Sequence, residues 1–173
     1  PSASYVQSPL LAVSVFGNLA RANGNFDFLV PRINSNSATA TFLDTVLIEG
    51  ENLTNKAGIM PVVKFNERVV PVLSATATQV KVIYPKDYLA QTTTITFTGA
   101  LGTITAPQTL TLKAPVISNI TPGVINNLPA TFEITGENFC PIAQNNEVRW
   151  GSNGWQLNVI EATREKLKIE LTP

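Results

Sequence analysis

Hydrophobic and polar residues alternate through Thr45-Val-Leu-Ile-Glu-Gly-Glu-Asn-Leu53 and again through Thr131-Phe-Glu-Ile-Thr-Gly-Glu-Asn-Phe139. A period of two puts every second side chain on one face, so each copy predicts a strand with one buried side. Both copies stop at Gly-Glu-Asn, where glycine is expected to supply the positive φ of the turn that ends the strand. Recurrence after roughly 85 residues marks the chain as a repeat.

The remaining segments fall into matching places around the two copies. Leu11-Ala-Val-Ser-Val-Phe16 and Asn25-Phe-Asp-Phe-Leu-Val30 alternate on either side of residues 17–24 and predict a hairpin closed by Pro31. The same pattern returns in Thr94-Ile-Thr-Phe-Thr98, a turn at Gly99-Ala-Leu-Gly102, and Thr109-Leu-Thr-Leu-Lys113 before Pro115. Pro31 and Pro115 therefore hold equivalent places, where proline removes a ladder donor as one sheet ends. Further on, Val62-Val-Lys-Phe65 matches Glu147-Val-Arg-Trp150, and Arg68-Val-Val-Pro-Val-Leu73 matches Trp155-Gln-Leu-Asn-Val-Ile160. Gln79-Val-Lys-Val-Ile-Tyr-Pro85 matches Lys166-Leu-Lys-Ile-Glu-Leu-Thr-Pro173. Residues 161–168 are the best local candidate for a helix, but their counterpart, Ser74-Ala-Thr-Ala-Thr-Gln79, is a poor helix former, and a loop of about one turn is expected.

These correspondences divide the chain into an N-terminal hairpin (1–31), a complete repeat (32–114) and a second repeat (115–173) without its closing hairpin. The hairpin is either the end of a preceding repeat or a strand-donating segment. A sandwich without its closing hairpin exposes a strand edge and one face of its core. Three explanations are open: the chain is a piece of a longer one; a neighbouring molecule supplies the strands, residues 1–31 of another copy being one source; or the last unit is self-sufficient.

The assembled pattern resembles the IPT/TIG family of immunoglobulin-like domains. Its signature runs through Pro115-Val-Ile-Ser-Asn-Ile-Thr-Pro122, Ile134-Thr-Gly-Glu-Asn-Phe139, Val148-Arg-Trp-Gly151 and Lys168-Ile-Glu-Leu-Thr-Pro173. The middle repeat keeps Ile48-Glu-Gly-Glu-Asn-Leu53, Val63-Lys-Phe-Asn66 and Val82-Ile-Tyr-Pro85, but lacks the second proline of the opening segment and has Asn66 where the family usually has glycine. The resemblance implies an all-β fold of tandem immunoglobulin-like β-sandwiches, here preceded by a β-hairpin. It implies no activity, since such folds host many functions.

Composition agrees with this reading and narrows the function. Of the 173 residues, 44% are hydrophobic and 14% charged, too apolar for a disordered chain and too lightly charged for a helical one. Twelve basic and twelve acidic residues cancel, which leaves no overall field to draw nucleic acid or an acidic membrane. The apolar run from Leu10 to Phe16 is too short to span a bilayer as a helix. There is no histidine, so the usual general base and the commonest metal ligand are missing, and the single Cys140 has no partner for a disulfide or a shared metal. Burial of that thiol is expected. Glu49, Glu51 and Asn52, with Glu137 and Asn138, offer oxygen ligands without an Asp-rich loop, which favours turns bonding their own backbone over a calcium site. No metal, cofactor or catalytic residue is expected.

The tryptophans carry the binding signal. Trp150 is in phase with Phe65 and is expected in the core, whereas Trp155 follows a loop about three residues longer than its counterpart and has no aromatic equivalent. An indole at a loop edge stacks on sugars or anchors protein interfaces. The candidate ligand-binding residues are therefore Trp155 with Ser152, Asn153 and Gln156. The expected function is a non-enzymatic spacer or interaction module of a cell-surface or secreted protein, binding a protein or glycan through its loops. Two alternatives stand beside it: a structural subunit of a filament, sheath or virion, completed by strand exchange between copies, and a noncatalytic glycan-binding segment of a polysaccharide-utilising system.

Overall fold

The computed structural model describes residues 5–7, 12–16, 18–21, 27–54, 59–99, 102–151 and 154–172. In the first repeat the alternating segments form β5 (Arg32–Asn36), β6 (Thr39–Ala40), β7 (Thr45–Glu51), β8 (Val62–Phe65), β9 (Arg68–Val70), β10 (Val72–Ala75) and β11 (Gln79–Ile83). The repeat continues through β12 (Thr92–Thr93), β13 (Ile95–Gly99), β14 (Gly102–Thr105) and β15 (Leu110–Leu112). One sheet runs β10-β11-β7-β5 and another β14-β13-β8-β9, with β6 and β12 flanking β15 in a third. Val46, Ile48, Val80 and Val82 from the first sheet and Val63, Phe65, Ile95 and Phe97 from the second share one buried cluster, so the two sheets face each other across a common core. Tyr84 closes one end, its ring 5.7 Å from Phe65, 6.1 Å from Phe42 and 5.7 Å from Tyr88.

The Gly-Glu-Asn motif divides its work differently from the expectation. Positive φ falls on Asn52 (57°) and Asn138 (63°), not on the glycines. Asparagine tolerates the left-handed region because its short amide bonds locally. Here the Asn52 Nδ2 donates to the carbonyl of Val30 (3.3 Å) and the Asn138 Nδ2 to that of Ala114 (3.0 Å), each carbonyl preceding the equivalent proline. The glycines provide clearance instead: a Cβ on Gly50 would lie 1.9 Å from the Arg32 carbonyl oxygen, and one on Gly136 1.9 Å from that of Val116. The close approach accompanies matching bulges, one between Ile33 and Ser35 on β5 and one between Ile117 and Asn119 on β16 (Val116–Thr121). Asn66 also has positive φ (51°), as does Gly151 (72°) in the equivalent turn.

The second repeat forms a single five-stranded sheet, β16-β17-β20-β19-β18, where β17 is Ala130–Glu137, β18 Val148–Trp150, β19 Trp155–Ala162 and β20 Lys166–Leu171. Strand β19 replaces both β9 and β10: it pairs with β18 through Trp155–Leu157 and with β20 beyond. Phe132, Ile134, Phe139, Val159, Leu167, Ile169 and Leu171 form its core. Residues 163–165, inside the helix candidate, are a turn between β19 and β20 in which the Thr163 Oγ1 accepts from the Lys166 N–H (2.9 Å). Thr76 and Gln79 make the equivalent contact in the first repeat (3.0 Å), so a hairpin turn, not a helical one, occupies both places.

Both predicted hairpins pair differently from the expectation, and in the same way. β1 (Tyr5–Gln7) pairs with β4 (Asp27–Leu29), and β2 (Ala12–Val15) with β3 (Asn18–Arg21). Likewise β12 pairs with β15, and β13 with β14. Each segment is thus an inner hairpin nested in an outer pair. Alternation alone matches the first long strand to the last, but the pairs Val15–Asn18 and Gly99–Gly102, close in sequence, set the inner register.

The two repeats meet through Cys140, which is buried in the first repeat's core and donates its thiol to the Lys86 carbonyl at 3.4 Å. Beside it an Arg164 Nη lies 2.7 Å from the Asp44 carboxylate, both side chains about one-third exposed.

Candidate functional site

The site is built by what the first repeat covers and the second leaves open. In the first repeat β8 pairs with β9 on one edge and β13 on the other. Among the described residues β18 pairs only with β19, leaving its other edge without a strand. Phe65 is fully buried, whereas its counterpart Trp150 is 59% exposed, which overturns the expected core position. The alternating phase was read correctly; the covering strand that buries Phe65 has no equivalent over Trp150 among the described residues.

Trp150 and Trp155 are direct cross-strand partners on the β18–β19 hairpin, and Trp155 is 73% exposed. Gly151 and Gly154 both have positive φ, and the Gly154 N–H donates to the Gly151 carbonyl at 3.1 Å. Ser152 and Asn153 lie outside the described residues. Gln156 follows Trp155 on β19 and lines the same groove.

That groove has a volume of about 720 Å³. Trp150, Trp155, Leu157 and Leu171 line it together with Ile125, Asn126, Asn127 and Leu128 of the β16–β17 connection. Leu171 occupies the register position of Tyr84, so a smaller, non-aromatic side chain stands where the first repeat places its ring cluster. Asn158 donates to the Glu170 carboxylate at 3.0 Å on the groove's border. The surface therefore combines two exposed indoles and branched aliphatics with amide and carboxylate groups. It is suited to stacking, apolar contact and hydrogen bonding. The sequence reading identified Trp155 and Gln156 but missed Ile125, Leu128, Asn158 and Glu170. The available signal was that the described residues of the second repeat include no counterpart of β13.

Other chemistry-bearing groups have structural tasks. Burial pushes the Tyr84 phenol up to about 12, with Tyr88 adding to the shift, and its hydroxyl donates to the Ala90 carbonyl at 3.3 Å. The Asn52 and Asn138 amides bond backbone carbonyls, and Glu49 accepts from Ser35 at 3.0 Å. No group of three or more potential metal ligands occurs among the described residues, and no helix among them is long and apolar enough to cross a membrane.

No family model matches the chain, and neither does any curated protein. Several solved structures align with parts of the chain at low similarity. The full extracellular region of plexin A4 aligns over 92% of this chain and 14% of its own, with 16% identity and a TM-score of 0.48. A Bacteroides thetaiotaomicron protein of unknown function aligns over 51% of this chain and 23% of its own (18% identity, TM-score 0.42). A surface glycan-binding protein from Prevotella bryantii aligns over 83% and 36% (16% identity, TM-score 0.40). The chain thus spans a quarter or less of the first two proteins.

Proposed function

We propose that the chain is a non-enzymatic, IPT/TIG-like module of a cell-surface or secreted protein, and that it engages its partner at the groove of the second repeat. The observation that carries this reading is the exposed Trp150–Trp155 pair beside Leu157 and Leu171, an apolar surface at a strand edge. Large exposed aromatics grouped around a concavity mark interaction sites. The first repeat acts as a rigid spacer, joined to the second through Cys140 and the Arg164–Asp44 pair. Binding rests on shape, stacking and hydrogen bonds, with little contribution from charge.

Two partner classes follow from the same surface. The indoles and amides suit a saccharide, and the free β18 edge suits a strand from another polypeptide. Indole fluorescence and analytical ultracentrifugation test the reading, with a panel of plant and bacterial oligosaccharides as the probe. Saccharide binding or self-association, lost in Trp155→Ala while the fold is retained, is the expected result. A folded protein that neither binds any panel member nor associates with itself would remove the groove as an interaction site.

A further inference from the structure

We propose that the first repeat is a tension-bearing link, built so that a pull along the chain loads its entry and exit strands in shear. The inference deepens the spacer role given to the first repeat and rests on that reading, but stands apart from whatever the groove binds. Chain leads into the repeat at Pro31 and out of it at Pro115, so a pull carried by the backbone enters at Arg32 and leaves at Ala114.

The geometry begins with a break in the entry strand. β5 pairs with β7 and ends at Asn36, a buried polar residue whose Nδ2 donates to the Ser37 carbonyl at 3.0 Å. Ser37 fixes the break: its N–H donates to the Leu47 carbonyl at 2.9 Å, and its hydroxyl accepts from the Leu47 N–H at 3.0 Å. β6 then joins the exit strand β15, with Thr39 opposite Thr111 and Ala40 opposite Leu112. This pair is parallel, whereas every other strand pair among the described residues of the repeat is antiparallel. The Thr111 N–H donates to the Ala38 carbonyl and the Lys113 N–H to that of Ala40, each at 2.9 Å. Gln108 adds a side-chain tie, its Nε2 donating to the Asn36 carbonyl. On its other edge β15 is held by β12, with the Leu112 N–H on the Gln91 carbonyl at 2.9 Å.

Strand direction decides how this joint meets a load. The bonds of a parallel pair are evenly spaced along it. When such a pair is pulled from the start of one strand and the end of the other, the strands slide past each other and all the bonds stretch together. Tension along the chain does this to β6 and β15, drawing the first back toward its start and the second on toward its end. An antiparallel pair pulled apart at one end instead opens bond by bond, each carrying the whole load in turn. Ala40 and Leu110 are buried beside the joint, which keeps water from replacing the bonds as they lengthen. Resistance to such a pull is set by the barrier to rupture and not by equilibrium stability.

The test holds the full chain in optical tweezers by handles on introduced cysteines and records its lifetime at constant force; the native Cys140 is buried and takes no handle. Handles at the exposed positions Arg32→Cys and Ala114→Cys pull in shear, whereas handles at the exposed Gln91→Cys and at Ala114→Cys sit at one end of the β12–β15 pair and peel it. Each backbone bond that must break with the others is worth about fivefold in lifetime, so the sheared arrangement should outlast the peeled one by about tenfold or more. Lys113→Pro deletes the donor to the Ala40 carbonyl, and Gln108→Ala deletes the side-chain tie while leaving the backbone intact. Each should shorten the sheared lifetime about fivefold and leave the peeled lifetime nearly unchanged. A substitution that merely destabilises the repeat shortens both lifetimes alike, and Gln108→Ala stays informative where Lys113→Pro fails to fold. Equal lifetimes for the two handle pairs, a sheared lifetime that survives the substitutions, or equal losses on both axes would each overturn the proposal. None of these outcomes bears on the Trp150–Trp155 surface, which is tested by binding.

Discussion

The two repeats use one sequence pattern to reach different degrees of closure. In the first, β8 is an interior strand between β9 and β13, and Phe65 packs against Tyr84 and Tyr88. In the second, β18 is an edge, Trp150 stands largely in solvent, and Leu171 replaces Tyr84 in the register. Strand β16 differs from β5 in the same sense: Ile33 is buried, while Ile117 is 60% exposed. The alternation of a strand says which side chains share a face. Whether that face becomes core or binding surface depends on a second layer, and the two repeats differ in that layer.

The sharpest way to break this comparison is to truncate the matched aromatics. Phe65→Ala removes a fully buried ring and should destabilise the first repeat by about 3–5 kcal/mol. Trp150→Ala removes a larger but mostly exposed ring and should cost less than about 1 kcal/mol. Urea titrations at dilutions that keep the protein monomeric provide the measurement. Equal losses would mean that the indole is covered in solution.

Where the repeats are alike, they should respond alike. Gly50→Ala and Gly136→Ala each drive a Cβ onto a backbone carbonyl 1.9 Å away, which cannot move as a side-chain end can. Each should cost about 3 kcal/mol, at the upper end of overpacking effects. Gly136→Ala should be the worse, since the Phe139 ring also lies 2.6 Å from the added carbon. Thermal melts of the pair check this, and a harmless Gly50→Ala would refute the clearance role.

These glycines also show how much of the fold the sequence disclosed. The motif was visible as a repeat, and it placed β7 and β17 correctly. Its internal division of labour was not visible, because glycine suits both positive φ and close approach, and only the position of the neighbouring carbonyl separates the two. The nested hairpins were hidden for a related reason: residues 11–16 alternate equally well against 18–21 or 25–30, and the turn decides. Trp150 was misplaced because its burial depends on a strand far away in sequence. Trp155 and Gln156 were legible since the loop before them is longer than its counterpart. Ile125 and Leu128 sit in an irregular connection without periodicity, and nothing local marks them.

A smaller difference concerns alkaline pH. Tyr84 ionises near 10.0 in the unfolded chain and near 12 in the fold. Between these values the unfolded state has released a proton that the folded state retains, so stability is full below about pH 10 and falls as pH rises toward 12. The loss should approach, and not exceed, about 3 kcal/mol by the upper end of that window. Leu171 holds this position in the second repeat and cannot titrate, so the extra sensitivity should belong to the first repeat and vanish in Tyr84→Phe. Denaturant midpoints measured across the window, wild type against Tyr84→Phe, would show it.

The least costly change tests how the unequal repeats are joined. Arg164 reaches Asp44 from the turn before β20, and the Asp44 carboxylate also accepts from the Thr41 N–H at 3.0 Å. Arg164→Ala leaves Asp44 with that backbone donor and open to water, so its cost should be about 1 kcal/mol, typical of a partly exposed pair. Asp44→Ala should cost more, because it strips Thr41 of its acceptor and leaves a guanidinium at the junction whose buried Nε already lacks a partner. The inequality separates an ion pair that clamps the repeats from one that merely decorates a contact held by Cys140. If Arg164→Ala proves the more damaging of the two, the arginine's packing at the junction, and not its charge, is what joins the closed repeat to the open one.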